Sequence, residues 1–168
     1  MQTPVGPAAR FFEDFTVDEE FLTQGRTVTQ TDLTFWSMFT GDFNPIHVDS
    51  AFAREHSPFG TVVPQGLLAV AIASGLQERL GIFAGTGQAM LGQTITFAAA
   101  VVVGDTLRVR LTVRALTPSR RPRTGRVAFD YGIEVVERGV TAVTGTLDVL
   151  CLRREAVREA GSEAGAGS

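Results

Sequence analysis

A change of hydrophobic pattern in the middle of the chain limits its possible folds more than any other feature. Residues 66–76 are apolar on nearly every side, so we predict a helix that the rest of the protein encloses. From residue 90 onward, Val, Thr, Ile and Phe dominate segments separated by turn residues, which predicts strands at 90–103, 106–116, 126–136 and 142–152. Turns between them would make consecutive hairpins, so we expect an α+β fold in which an antiparallel sheet wraps the helix.

Length and composition fit one packed domain. The chain has 168 residues, 44% of them hydrophobic. Residues 1–10 and 154–168 contain little that is large and apolar, so we expect a flexible N-terminus over 1–10, one domain over 11–153 and a disordered tail over 154–168. A net charge of −3 argues against nucleic acid as a partner. With neither a signal-peptide pattern nor an apolar run of bilayer length, a cytoplasmic protein that does not enter membranes is expected.

A helix is predicted just before the most polar motif of the chain. Residues 29–32 read Thr-Gln-Thr-Asp, which matches a capping box with Asp in place of Glu. The helix should cover residues 32–39 and end at Gly41, because glycine often follows the last helical residue. Its buried side chains are expected to be Leu33, Trp36, Met38 and Phe39.

The motif that follows is a loop with two ionisable side chains. Asp42 and His47 lie five positions apart in the sequence Asp-Phe-Asn-Pro-Ile-His, with aromatic residues on both sides. A carboxylate and an imidazole held together in apolar surroundings can act as a general acid–base pair. Taken singly, Asp42 could bond its own backbone in the loop, and His47 could be structural. Asn44 could position a substrate or simply form the turn.

Other polar residues are weaker candidates for chemistry. Asp49 or Ser50 is expected to cap a short helix that runs through residue 54, and Asp49 is a more natural cap than a catalytic acid. We expect His56 at the surface and Cys151 unreactive in a strand, and Ser74 facing either the core or the acyl pocket, with the core favoured. One cysteine and two histidines disfavour a zinc site of the Cys/His type, and we predict neither a metal nor another cofactor.

Several segments together resemble one protein family. Residues 41–49, which read Gly-Asp-Phe-Asn-Pro-Ile-His-Val-Asp, and Gly-Leu-Leu at 66–68 resemble the MaoC-like hydratases, close to the (R)-specific enoyl-CoA hydratases. Segments 91–97 and 103–107 look like strand signatures of the same family, so the resemblance spans residues 15–152. It implies a hot-dog fold, usually dimeric, and addition of water to a trans-2-enoyl-CoA to give a (R)-3-hydroxyacyl-CoA, or the reverse dehydration.

The resemblance also implies roles for individual residues. Asp42 and His47 match the catalytic pair of the family, and Gly66 matches the glycine whose backbone N–H stabilises the thioester oxyanion. Many members carry His directly before that glycine, whereas this chain has Gln65, which can hydrogen-bond but cannot titrate. Gln65 and Asn44 are therefore predicted to position the site or the substrate. CoA itself would be part of the substrate, and a carrier-protein thioester is the alternative.

The sequence is also compatible with two other functions. A hot-dog thioesterase would share the fold and the thioester substrate, but its carboxylate typically lies on or near the central helix, and residues 66–76 contain no Asp or Glu. A non-catalytic acyl-binding protein would need the pocket but neither Asp42 nor His47. Acyl length, the direction of the reaction and which of the two residues is the base are not readable from the sequence.

Overall fold

The structure is a computed structural model that describes residues 8–120 and 123–155. Most of the predicted flexible N-terminus and disordered tail lies outside these residues. None of the helices in the described part is long and apolar enough to cross a membrane. After a single 3-10 turn at Phe12–Asp14, the helices are α1 (Gln30–Thr40), α2 (Pro45–Val48), α3 (Ser50–His56) and α4 (Gly66–Glu78). The strands are β1 (Glu20–Leu22), β2 (Arg26–Thr27), β3 (Gly87–Phe97), β4 (Thr106–Pro118), β5 (Thr124–Val135) and β6 (Val140–Leu152).

One antiparallel sheet forms the body of the protein. Its strand order is β1-β4-β5-β6-β3, and β2 also pairs with β4. Alternate residues of β4 face the core, so that Leu107, Val109, Leu111 and Val113 are fully buried. The helix α4 packs on this inner face through Ala69, Ala73 and Leu76. The predicted α+β hot-dog fold, a long helix against a curved antiparallel sheet, is confirmed.

The predicted hairpin between the first two long strands is wrong. The strand β3 ends at Phe97, six residues earlier than expected, and pairs with β6 at the far edge of the sheet. Residues 98–105 carry the chain across to β4. A tight turn does exist where Gly104 and Asp105 predicted one, with φ of +100° at Gly104 and a bond from the Asp105 N–H to the Val102 carbonyl. This turn directs the chain into β4 and does not join two paired strands. Which strands pair depends on segments far apart in the chain, so the turn residues do not specify it.

The expectation that α4 is enclosed on all sides is only partly right. Its core-facing side is buried, but Leu67 and Ser74 lie on an exposed side together with Ala71 and Gly75. The prediction that Ser74 lies in the core is therefore wrong. An apolar composition shows that a helix can be buried on every face, but it does not say how many faces its own chain covers.

The helix α1 has the capping residues that the sequence predicted, but it runs from Gln30 to Thr40 and is therefore longer than the predicted 32–39. Thr29 and Asp32 form the capping box, and Gly41 closes the helix in the left-handed conformation at φ +76°. The predicted burial of Met38 and Phe39 is wrong, because both side chains are exposed. The buried positions are Leu33 and Ser37, one helical turn apart on the side that faces α4.

Candidate active site

The predicted loop between α1 and α3 contains one turn of helix, α2, that carries the histidine. Asn44 caps this turn, since its side-chain oxygen accepts from the Ile46 N–H at 3.3 Å, and Pro45 occupies the first helical position. The sequence Asn-Pro therefore has a local structural role, the turn-forming alternative that the sequence left open. It fixes the direction in which His47 leaves the backbone.

Asp42 lies directly after the end of α1, on the other side of the same loop. Its Oδ1 accepts from the Asn44 N–H at 3.2 Å, so the carboxylate does bond its own loop. Its Oδ2 lies 3.8 Å from Nε2 of His47, with the Asp42 side chain 45% exposed and the His47 side chain 12% exposed. The two groups thus face each other at a separation too long for a direct hydrogen bond.

The imidazole of His47 is fixed by a contact at Nδ1, the ring nitrogen that does not face Asp42. Its Nδ1 lies 2.6 Å from the carbonyl oxygen of Val63, and the Val63 N–H donates to the Ile46 carbonyl at 3.2 Å. Because a carbonyl oxygen only accepts, Nδ1 is the protonated nitrogen in the neutral form of the ring, and Nε2 of that form presents a lone pair toward Asp42. The pair therefore offers two acceptors, a carboxylate oxygen and an imidazole nitrogen, to a molecule bound between them.

The start of α4 forms the opposite side of the site. Gly66 is the first residue of α4, so its N–H has no acceptor within the helix. The ring of Phe97 lies directly against it: a Cβ at position 66 would be 2.6 Å from a Phe97 ring carbon. Gln65 is buried, and its amide donates to the Ser37 hydroxyl at 2.9 Å and to the Asp42 carbonyl at 3.3 Å.

A cavity of about 390 Å³ brings these groups together. Its lining consists of Trp36, Thr40, Asp42, His47, Gln65, Gly66, Leu67 and Phe97. Four of the five predicted site residues thus line one space, while Asn44 acts from outside it by capping α2. This volume falls in the range of small-molecule sites in proteins.

A second, more apolar cavity of about 500 Å³ adjoins the first. The two share Gln65, Gly66 and Phe97. The remaining lining residues are mostly small or apolar: Phe59, Val63, Pro64, Ala69, Ala98, Ala99, Ala100, Val101 and Val143. A ligand with a polar head and an apolar tail would match this pair of spaces.

The weaker candidates lie where the sequence placed them, except for Ser74. Asp49 caps α3 by accepting from the N–H groups of Ala51 and Phe52, each at 2.9 Å. His56 is at the surface beside Glu55. Cys151 is fully buried in β6, and burial raises the pKa of its thiol to about 12, which makes it a poor nucleophile.

Three groups that hold the site residues in place were not predicted from the sequence. The Val63 carbonyl and the Phe97 ring gave no local signal, because their roles depend on contacts with distant segments. Ser37 could have been found, since it follows Leu33 by four residues and so lies on the same face of α1. Within residues 8–120 and 123–155, no group of three or more His, Cys, Asp or Glu side chains is arranged to hold a metal ion.

Comparison with known proteins agrees with this architecture. The family model of the MaoC like domain matches residues 13–134. A 3-hydroxybutyryl-CoA dehydratase of Methylorubrum extorquens is 34% identical over 134 residues, which are 79% of this chain and 82% of that protein. A (R)-specific enoyl-CoA hydratase of Rhodospirillum rubrum is 28% identical, over 79% of this chain and 90% of that one.

A solved structure extends the similarity to three dimensions. The crystal structure of the MaoC-like dehydratase from Rhodospirillum rubrum superimposes with a TM-score of 0.73 and 28% sequence identity. The match covers 86% of this chain and 97% of that one. The sequence motif, the fold and these matches agree, and the chain belongs to the MaoC-like dehydratase family.

Proposed function

We propose that this protein is a hydro-lyase that adds water to a trans-2-enoyl-CoA to give a (R)-3-hydroxyacyl-CoA, or catalyses the reverse dehydration. The observation that carries the proposal is the 3.8 Å separation of Asp42 Oδ2 and His47 Nε2, which share a cavity with the first N–H of α4. The printed names of two relatives, a 3-hydroxybutyryl-CoA dehydratase and a (R)-specific enoyl-CoA hydratase, support the same reaction class.

The pair is suited to binding and activating one water molecule. With Nδ1 bonded to Val63, both His47 Nε2 and the Asp42 carboxylate accept hydrogen bonds, so a water between them donates one hydrogen to each. As the water oxygen attacks C3, one of its protons moves to the pair. The pair then delivers this proton to C2, which completes the addition of water. Hydroxyl and hydrogen are thereby added to the same face of the double bond.

The backbone N–H of Gly66 stabilises the charge that develops during this step. As C3 is attacked, negative charge builds on the thioester oxygen. A free N–H at a helix start carries partial positive charge and points away from the helix. Removing a single oxyanion donor in other enzymes costs about 3 kcal/mol of transition-state stabilisation. Glycine at this position makes room for the Phe97 ring, which a Cβ would meet at 2.6 Å.

The adjoining apolar cavity accommodates the acyl chain in this proposal, and the thioester lies at the shared wall formed by Gln65, Gly66 and Phe97. The functional unit is proposed to be a homodimer, with CoA or a carrier protein as the thiol of the substrate. A thioesterase is less well supported, because the only acidic residue of α4 is Glu78, its last residue.

The test follows the loss of enoyl-thioester absorbance with crotonyl-CoA and with a longer trans-2-enoyl-CoA. In Asp42→Asn and His47→Gln variants that remain folded, turnover should fall at least about a hundredfold, as expected for general acid–base groups. His56→Gln is the matched control, since His56 is exposed and outside the cavity, and it should keep native activity. Chiral analysis of the 3-hydroxyacyl product should give the (R) enantiomer.

Three results would contradict the proposal. Release of free CoA without hydration would identify a thioesterase. Binding of acyl-CoA that survives both substitutions, with no turnover by the native protein, would identify an acyl-binding protein. Native turnover that is unaffected by either substitution would remove Asp42 and His47 from the mechanism.

A further inference from the structure

The serine of α1, Ser37, is buried and bonds to a residue far away in the chain. Ser37 is only 1% exposed, whereas most of this helix faces outward. Hydroxyls in helices commonly bond to the carbonyl four residues earlier, and two threonines of α1 do so: Thr34 bonds the Gln30 carbonyl at 3.0 Å and Thr40 bonds the Trp36 carbonyl at 2.8 Å. The Ser37 hydroxyl is instead bonded by the amide of Gln65 at 2.9 Å, across 28 residues of sequence.

Gln65 extends this contact to the site. Gln65 occupies the N-cap position of α4 but does not cap the helix with its side chain. Its Nε2 reaches both the Ser37 hydroxyl and the backbone carbonyl of Asp42, the latter at 3.3 Å. The carbonyl of Asp42 only accepts, so the amide nitrogen must face it, and the orientation of the Gln65 side chain is fixed.

The oxygen of the same amide does not stabilise the folded protein. The Oε1 atom of Gln65 is buried and has no hydrogen-bond partner among the described residues. Burying an amide oxygen without a partner opposes folding and offsets part of the stabilisation from the two hydrogen bonds of the amide nitrogen. Groups of this kind in native proteins call for an explanation other than stability.

We propose that Ser37 and Gln65 form a buried bridge whose role is to position Asp42 relative to Gly66. Gln65 is adjacent to Gly66 in the chain and bonds the backbone of Asp42, so one side chain sets the separation between the carboxylate and the first N–H of α4. Ser37 fixes the amide from the other side. The carboxylate of Asp42 itself stays available to His47, because the bridge holds only its carbonyl. Neither bridge residue takes part in the chemistry, and this inference rests on the proposed function.

The experiment compares four variants with the native protein: Gln65→Met, Ser37→Ala, the double variant, and Thr34→Ala as a control in the same helix. Methionine keeps the volume of glutamine but removes the amide. In Gln65→Met, kcat on crotonyl-CoA should fall at least about tenfold, because small misplacements of reacting groups are costly. KM should change little, and the melting temperature should fall modestly, because the Ser37 hydroxyl and the Asp42 carbonyl lose their donor while the unpaired amide oxygen is removed as well. Ser37→Ala should lose less, about threefold, since Gln65 keeps its bond to Asp42.

The double variant distinguishes a bridge from two independent effects. Because both residues act through the same amide, the kcat of the double variant should be no lower than that of Gln65→Met. Thr34→Ala should keep native kcat. A fall in melting temperature with kcat unchanged, or losses that multiply in the double variant, would overturn the bridge.

A readout without turnover separates this inference from the proposed function. The chain has only two histidines, so the ring nitrogen signals of His47 and His56 can be assigned by ¹⁵N NMR. If Gln65 positions Asp42, the His47 signals should shift in Gln65→Met while those of exposed His56 stay in place. Native protein without hydratase activity but with this shift would refute the proposed function and keep the bridge. Unchanged His47 signals would refute the bridge whatever the activity.

Discussion

The strands β5 and β3 both contain several apolar residues, but the apolar side chains of β5 are mostly buried whereas those of β3 are mostly exposed. In β5, Phe129 and Ile133 are fully buried. In β3, Met90 is 64% exposed, and Leu91 and Phe97 are exposed as well. The strand β5 has a neighbour on each edge and α4 near its inner face, whereas β3 pairs only with β6 among the described strands. Strand-forming composition therefore indicates a strand without indicating what covers it.

The exposure of β3 suggests that this strand belongs to an interface with another molecule. An apolar edge strand offers unpaired backbone groups next to exposed side chains, and natural proteins rarely leave such an edge open. The exposed sides of α1 and α4 add Phe39 and Leu67 to the apolar surface. This favours the proposed homodimer, with a second copy covering surface that the chain does not cover itself.

The largest expected effect comes from truncating the interior of β5. Phe129→Ala should lower the free energy of unfolding by about 3–5 kcal/mol, since a fully buried ring is lost and a cavity remains. Met90→Ala in β3 should cost less than about 1 kcal/mol, because its side chain is mostly in solvent. Urea denaturation at low protein concentration measures both. Equal losses would mean that the two strands are equally buried in solution.

The next effect concerns the edge of β3. The double substitution Met90→Arg, Leu91→Arg should convert the proposed dimer into a monomer of 18.0 kDa while the chain stays folded, because buried like charges disfavour association. Val17→Arg, an exposed apolar residue outside β3, is the matched control. Light scattering after size-exclusion chromatography gives the mass. A dimer that survives in the β3 variant would place the interface elsewhere.

The smallest effect concerns the outer face of the central strands. Hydrogen bonds from Arg110 and Arg108 at 2.8 and 2.7 Å hold the pKa of Glu134 below its ordinary value of 4.5. A lowered pKa in the folded state stabilises the protein above the unfolded-state value, and this contribution is lost as the pH falls through the folded-state value. Glu134→Gln should therefore cost about 0.5–1 kcal/mol at neutral pH, as for partly exposed ion pairs.

Thermal melts of the native protein and Glu134→Gln across a pH series check this expectation. The gap between the two should be constant from neutral pH down to about 5, and it should close below 4.5 as Glu134 takes up a proton in the native protein. A gap that widens on acidification would contradict the assignment.

Local sequence signals predicted local structure well. The capping box at Thr29, the left-handed Gly41 and the Asp49 cap are all present, because each depends only on residues within one helical turn. Sequence patterns gave wrong predictions where burial or strand pairing depended on segments far away in the chain. Met38 and Phe39 are apolar but exposed, and Gly104 makes its turn without joining paired strands.

The sequence by itself determined most of the helices and long strands, though not their ends, together with the α+β class and the residues of the candidate pair, since these follow from hydrophobic period, turn chemistry and a short motif. Only the tertiary structure decided that β3 pairs with β6, that the Val63 carbonyl sets the tautomer of His47, and that Ser37 meets Gln65. These contacts join residues far apart in the chain. Their geometry depends on how the sheet and α4 pack, which no local pattern specifies.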